Sequence, residues 1–147
     1  MPGIDECLLQ AMVVPGARGA AIVDWTSGLA LGAIGETPGG DVETTAAETA
    51  ELARMAAEYP SFAPDATGPA GPGGPGNPEP GTGARGIKGL PVEDLIVTTR
   101  DGYHVIRFVE TTFDSSVFLH LWLDRDTGNL ALARLRMADI AERLVLG

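Results

Sequence analysis

The side chains of this 147-residue chain that could do chemistry are two histidines, one cysteine, two close aspartates beside a threonine, and a serine in a glycine-containing turn. His104 and His120 could act as bases, but both fall inside apolar stretches of strand length, YHVIRFVE and VFLHLWLD. A histidine there is more often a packed or surface residue than a general base. Cys7 has no histidine near it in sequence and reads as a small hydrophobe, not an activated thiolate. Asp124, Asp126 and Thr127 offer oxygen ligands, yet the glycine and distal glutamate of a calcium loop are missing, so they read as a polar turn. Ser27 follows Thr26 without the spacing of a nucleophile elbow. No G-x-x-x-x-G-K-[ST] loop occurs, and the glycines around Lys88 lack the strand-loop-helix setting that aims backbone amides at phosphates. These residues predict no active site, no nucleotide or other cofactor and no metal.

The surrounding pattern predicts packed elements. Ile4, Leu8, Leu9 and Met12 recur at helical spacing, and Pro15-Gly16 would stop that helix. Residues 20 to 25 (AAIVDW) and 29 to 34 (LALGAI) flank Thr26, Ser27 and Gly28, which predicts a hairpin. Asp41 can cap a helix over 42–59 built largely of helix formers. Its residues Thr45, Thr49, Leu52, Ala56 and Tyr59 line one face, Ala46, Ala50, Ala53 and Ala57 the next, and Glu43, Glu51 and Glu58 fall mainly towards the remaining side. So many small residues let another backbone come close.

Residues 60–91 hold eight of the eleven prolines, seven of them between Pro60 and Pro80, mixed with glycine in GPAGPGGPGNPEPGTGARG. This composition has almost no apolar surface to offset ordering entropy and reads as a disordered insertion within one domain spanning residues 1–147. Leu95, Val97 and Thr99 then alternate with Ile96 and Thr98 before Asp101-Gly102, a strong hairpin signal. Residues 103–110 return alongside, and 117–124 form a further strand with Leu119, Leu121 and Leu123 on one face and Phe118, His120 and Trp122 on the other. Both faces are apolar enough to need cover. Asn129 can cap a last helix whose Ala133, Met137, Ile140, Ala141 and Leu144 make one stripe, with Arg134, Arg136, Glu142 and Arg143 mostly outside it. The expected order is αββαβββα, an α+β sandwich.

Composition narrows the partners. A net charge of −10 and a pI near 4.4 disfavour nucleic acid and anionic membranes, which reward clustered Lys and Arg. The lone cysteine cannot form an internal disulfide, and a reducing cytosol fits it. Asp5 and Glu6 ahead of the short run LLQAMVV do not make an export signal, and no apolar run reaches the length of a membrane span. A cytoplasmic protein without membrane insertion is expected.

With these elements in place the chain resembles the roadblock / dynein light chain family. The resemblance rests on AAIVDWTSGLALGAIGE, on the alanine-rich TTAAETAELARMA and on the closing GNLALARLRMADIAERL, and covers residues 4–59 and 92–144. It implies a five-stranded antiparallel sheet with helices on both faces, and a homodimer in which the second helices pack together and edge strands join. Carried over by position, the pairing helix is Asp41 to Tyr59 and the pairing edge lies near Leu95 to Thr99. The interface residues it implies are Thr45, Thr49, Leu52, Arg54, Met55, Ala56, Tyr59, Leu95 and Val97. It further implies a non-enzymatic regulator or scaffold for a small Ras-like GTPase in signalling or cell polarity. Arg54 would be the candidate if hydrolysis were accelerated through an arginine. The other class to weigh is a small-molecule-sensing α/β module, with Trp25, Phe108 and Trp122 enclosing a ligand; a buried apolar pocket would favour it.

Overall fold

The run Val117 to Leu123 carries one imidazole and no charge, and all of it is buried, which places the strand in the middle of a sheet. The computed structural model describes residues 3–63, 90–110 and 116–144. Its elements are α1 (Ile4–Met12), β1 (Ala17–Asp24), β2 (Leu29–Gly35), α2 (Val42–Glu58), β3 (Asp94–Thr98), β4 (Gly102–Val109), β5 (Val117–Asp124) and α3 (Leu130–Arg143). The strands form one antiparallel sheet in the order β2-β1-β5-β4-β3, the expected five-stranded architecture.

The strand alternation sorts the core into two layers. On one face Ile22, Val105, Leu119, Leu121 and Leu123 meet Cys7, Leu8 and Ala11 of α1 and Ala133, Met137 and Ile140 of α3. On the other, Val23, Trp25, Ile106, Phe108 and Phe118 meet Ala46, Ala50, Ala53 and Ala57 of α2. Large side chains on the sheet and methyl groups on the helix are complementary: the alanine ridge lets α2 settle close over bulky residues.

Local signals set the boundaries. The Asp41 carboxylate accepts from the Glu43 N–H and the Thr44 hydroxyl at the start of α2, and Asn129 Oδ1 accepts from the Leu132 N–H, 3.0 Å away, at the start of α3. Tyr59 leaves the helix for an extended conformation because Pro60 disfavours the helical region for the residue before it. β1 begins at Ala17, three residues before the apolar alternation, since Ala17 and Gly19 pair with Leu123 and Trp122 of β5. Its entry is tight: Gly16 has φ +85° and a Cβ there would stand 2.4 Å from the Gly128 Cα. Pro60–Phe62 forms a single 3-10 turn, and Leu90 and Val92 pack against the α2-side core. Most of the segment read as an insertion, residues 64–89, lies outside the described residues.

Candidate partner interface

Two surfaces are candidates for contact with a partner. The first is one flank of α2. Leu52 is half-buried against the core, Ala56 is buried, and Met55, Tyr59 and Phe62 are exposed, the last two by 53% each. Thr45 and Thr49 sit further towards the helix start, half-buried, with their hydroxyls committed: Thr45 Oγ1 donates to the Pro38 carbonyl (2.7 Å) and Thr49 Oγ1 to the Thr45 carbonyl (2.8 Å). What these two threonines offer a partner is therefore mainly their methyl groups. Arg54 lies on the opposite flank, in an open groove with Trp25, Ser27, Gly28, Ala47 and Glu51, so the structure does not bring it together with Leu52 and Tyr59.

The second surface is the β3 edge. Thr99 N–H donates to the Gly102 carbonyl and Phe108 N–H to the Glu93 carbonyl, so odd-numbered residues face β4. The N–H and C=O groups of Asp94, Ile96 and Thr98 then point outward, with no strand beyond them among the described residues. Leu95 and Val97 are half-buried and lie on the α2 side, opposite Ile106 and His104. Asp94 ties the strand to α3 through Arg134 (2.9 Å) and to the neighbouring β4 through Arg107 (3.9 Å).

Next to Val97 the structure assembles a polar ladder that sequence reasoning missed. His104 Nδ1 is 3.0 Å from His120 Nε2, His104 stacks on Trp122 with centroids 5.9 Å apart, and the Arg18 guanidinium lies 3.7 Å over the Trp122 ring. Arg18 also pairs with Glu36 at 2.9 Å. Burial, reinforced by His104, pushes His120 down to about 3; burial also lowers His104, against a smaller opposing pull from Asp101. The pair is thus neutral at pH 7, one ring donating to the other. The missing signal was register: His104 faces Trp122 and Ile106 faces His120 only once β4 and β5 are aligned.

The remaining candidates resolve as structural. Asp124 Oδ2 accepts from the N–H of Asp126 and Thr127 and from the Thr127 hydroxyl, the polar turn expected; these bonds hold its carboxyl below the usual range. Asp24 does the same for its turn: burial pushes its pKa up, but bonds from Thr26 and Ser116 outweigh it. Cys7 is fully buried, and burial raises its thiol pKa. No group of three or more potential metal ligands occurs among the described residues. Trp25, Phe108 and Trp122 are buried in the layer under α2, where the cavity lined by Thr45, Ala46, His120 and Trp122 has a volume of about 20 Å³. That is room for one water and not for a sensed ligand.

No protein-family model matches the chain, and no curated protein matches it. Solved structures do. A Roadblock/LC7 domain from Streptomyces avermitilis superposes with a TM-score of 0.59 at 17% identity, covering 96% of this chain and 93% of that one. Myxococcus xanthus MglB gives 0.56 at 20% identity, covering 95% and 79%. A structure described as MglB with tetrameric arrangement gives 0.62 at 16%, covering 95% and 82%. The chain has the roadblock fold.

On the roadblock fold the positions implied earlier separate into groups. Leu52 and Leu95 pack against the same α2-side core, Met55 and Tyr59 are exposed, Thr45 and Thr49 line the cavity, and Arg54 lines the groove at the β1–β2 turn. No described helix is long and apolar enough to cross a membrane.

Proposed function

We propose that this chain is a non-enzymatic, homodimeric regulator or scaffold for a small Ras-like GTPase, acting in the cytoplasm in signalling or cell polarity. The observations that carry the reading are two uncovered surfaces: a β3 edge with no strand beyond it among the described residues, and the exposed Met55, Tyr59 and Phe62 on and just after α2. An open apolar edge is a pairing hazard unless it is used. Joining β3 edges and packing α2 flanks in a two-fold dimer would cover both surfaces at once. The tetrameric arrangement of one MglB structure supports self-association on this fold. The outward side of α2, with Glu48 exposed, would then face the GTPase. The cavity under α2 is too small to favour the sensing alternative.

The test is capture from the native lysate on immobilised protein, with GDP and separately with a non-hydrolysable GTP analogue. Recovery of a small GTPase in one nucleotide state is the expected result. Recovery of none in either state overturns the reading.

A further inference from the structure

Among the described residues the sheet has a second open edge, β2, on the side away from β3. Its sequence, LALGAIG, contains no charge and no proline, the usual blocks to strand addition. The Glu36 N–H donates to the Arg18 carbonyl, which makes Gly19–Gly35 and Ala21–Ala33 the non-bonded pairs of the β1–β2 ladder. Ala33 and Gly35 therefore turn their N–H and C=O groups away from β1. Beside them Leu29 and Leu31 are exposed by 63% and 44%; the irregularity opposite Ile22 and Val23 falls at Leu31.

The edge is bordered by carboxylates. On the α2 side, Ala47 lies over Gly28 of the β1–β2 turn, and Glu43 and Glu51 stand one turn to either side of it on the same ridge, both exposed. On the α1 side, Ile4 and Leu8 lie against Gly32, and Asp5, the residue after Ile4, is exposed. Arg18 is held by Glu36, and among the described residues that line the groove at the turn Arg54 is the one cation.

We propose that β2 is a docking edge for an extended, basic segment of a partner protein. The segment adds a sixth strand through Ala33 and Gly35, lays apolar side chains on Leu29 and Leu31, and directs Lys or Arg towards Asp5, Glu43 and Glu51. A second copy of this chain is the poorer occupant, because it would set the same carboxylates against themselves. The inference does not depend on a GTPase partner.

The experiment is a fluorescence-anisotropy titration with a labelled KVKVKVK peptide and its EVEVEVE counterpart, paired with amide hydrogen exchange. The basic peptide should bind, the acidic one should not, and the Ala33 and Gly35 amides should exchange more slowly in the complex. Ala33→Pro changes no charge and removes an outward N–H, so it should weaken binding roughly tenfold. The Glu43→Lys/Glu51→Lys variant should weaken it by about as much and keeps the test valid if the proline variant does not fold. Equal binding of the two peptides, wild-type affinity in Ala33→Pro, or unchanged exchange at Ala33 and Gly35 overturns the proposal.

Discussion

His104 Nδ1 and His120 Nε2 are 3.0 Å apart on neighbouring strands, and this bond exists only while at least one of the two rings is neutral. Both pKa values lie below the ordinary histidine value, so below about pH 6.5 the unfolded chain binds more protons than the folded one. The stability from this pair is complete above that pH and drains away as pH falls towards the folded value of about 3 for His120. For His120, which is almost fully buried, the loss between pH 7 and pH 5 should be about 2 kcal/mol. Urea midpoints across that range should fall more steeply for the wild type than for His120→Leu, which keeps only the His104 contribution; parallel curves would refute the assignment.

Asp24 ties the β1–β2 turn to residue 116 by accepting from the Thr26 N–H, the Thr26 hydroxyl and the Ser116 hydroxyl. Asp24→Ala should cost about 1–3 kcal/mol in chemical denaturation, and Asp24→Asn less, because it keeps one acceptor oxygen. Since its pKa is depressed, this contribution is present above the unfolded carboxylate value near 3.9 and is lost as pH falls below it.

The alanine ridge of α2 is a packing requirement. Ala50 is 2% exposed above Trp25 and its neighbours, whereas Ala47 is open to solvent. Ala50→Leu should lower stability by about 1–3 kcal/mol through overpacking, and Ala47→Leu should leave it within about 0.5 kcal/mol. A thermal-denaturation comparison of the two variants separates a packed ridge from a merely helical one.

If β3 and α2 join two copies, the particle mass by light scattering should be twice the 15.2 kDa of one chain. Val97→Lys or Leu52→Glu should return it to one chain mass with the helical signal retained. A wild-type mass of one chain at high concentration would count against the dimer.

Much of the fold was legible because its signals are local. Asp41 and Asn129 announce their helices by capping chemistry, Asp101-Gly102 announces its hairpin, and the alternation of Leu119, Leu121 and Leu123 with Phe118, His120 and Trp122 shows a strand covered on both faces. What stayed hidden depends on pairing between distant segments. The Asp24–Ser116 bond spans 92 residues, and the histidine pair needs the β4–β5 register. Helical periodicity put Thr45 and Thr49 on one face with Tyr59, but it could not show that their hydroxyls close on the backbone. Periodicity alone separates Arg54 from Leu52, two residues away, but it could not show that Arg54 lines the groove at the β1–β2 turn, since that depends on which side of the helix meets the sheet.

The stack of Arg18, Trp122 and His104 also makes the protein optically self-reporting. Trp122 sits between a permanent cation and a titratable ring, while Trp25 packs in the core against the middle of α2. A protonated imidazole against an indole quenches its emission, so acid should dim Trp122 before the chain unfolds and leave Trp25 as an internal standard. The same two emitters would register a partner settling over Val97, because His104 and Trp122 lie immediately behind that strand.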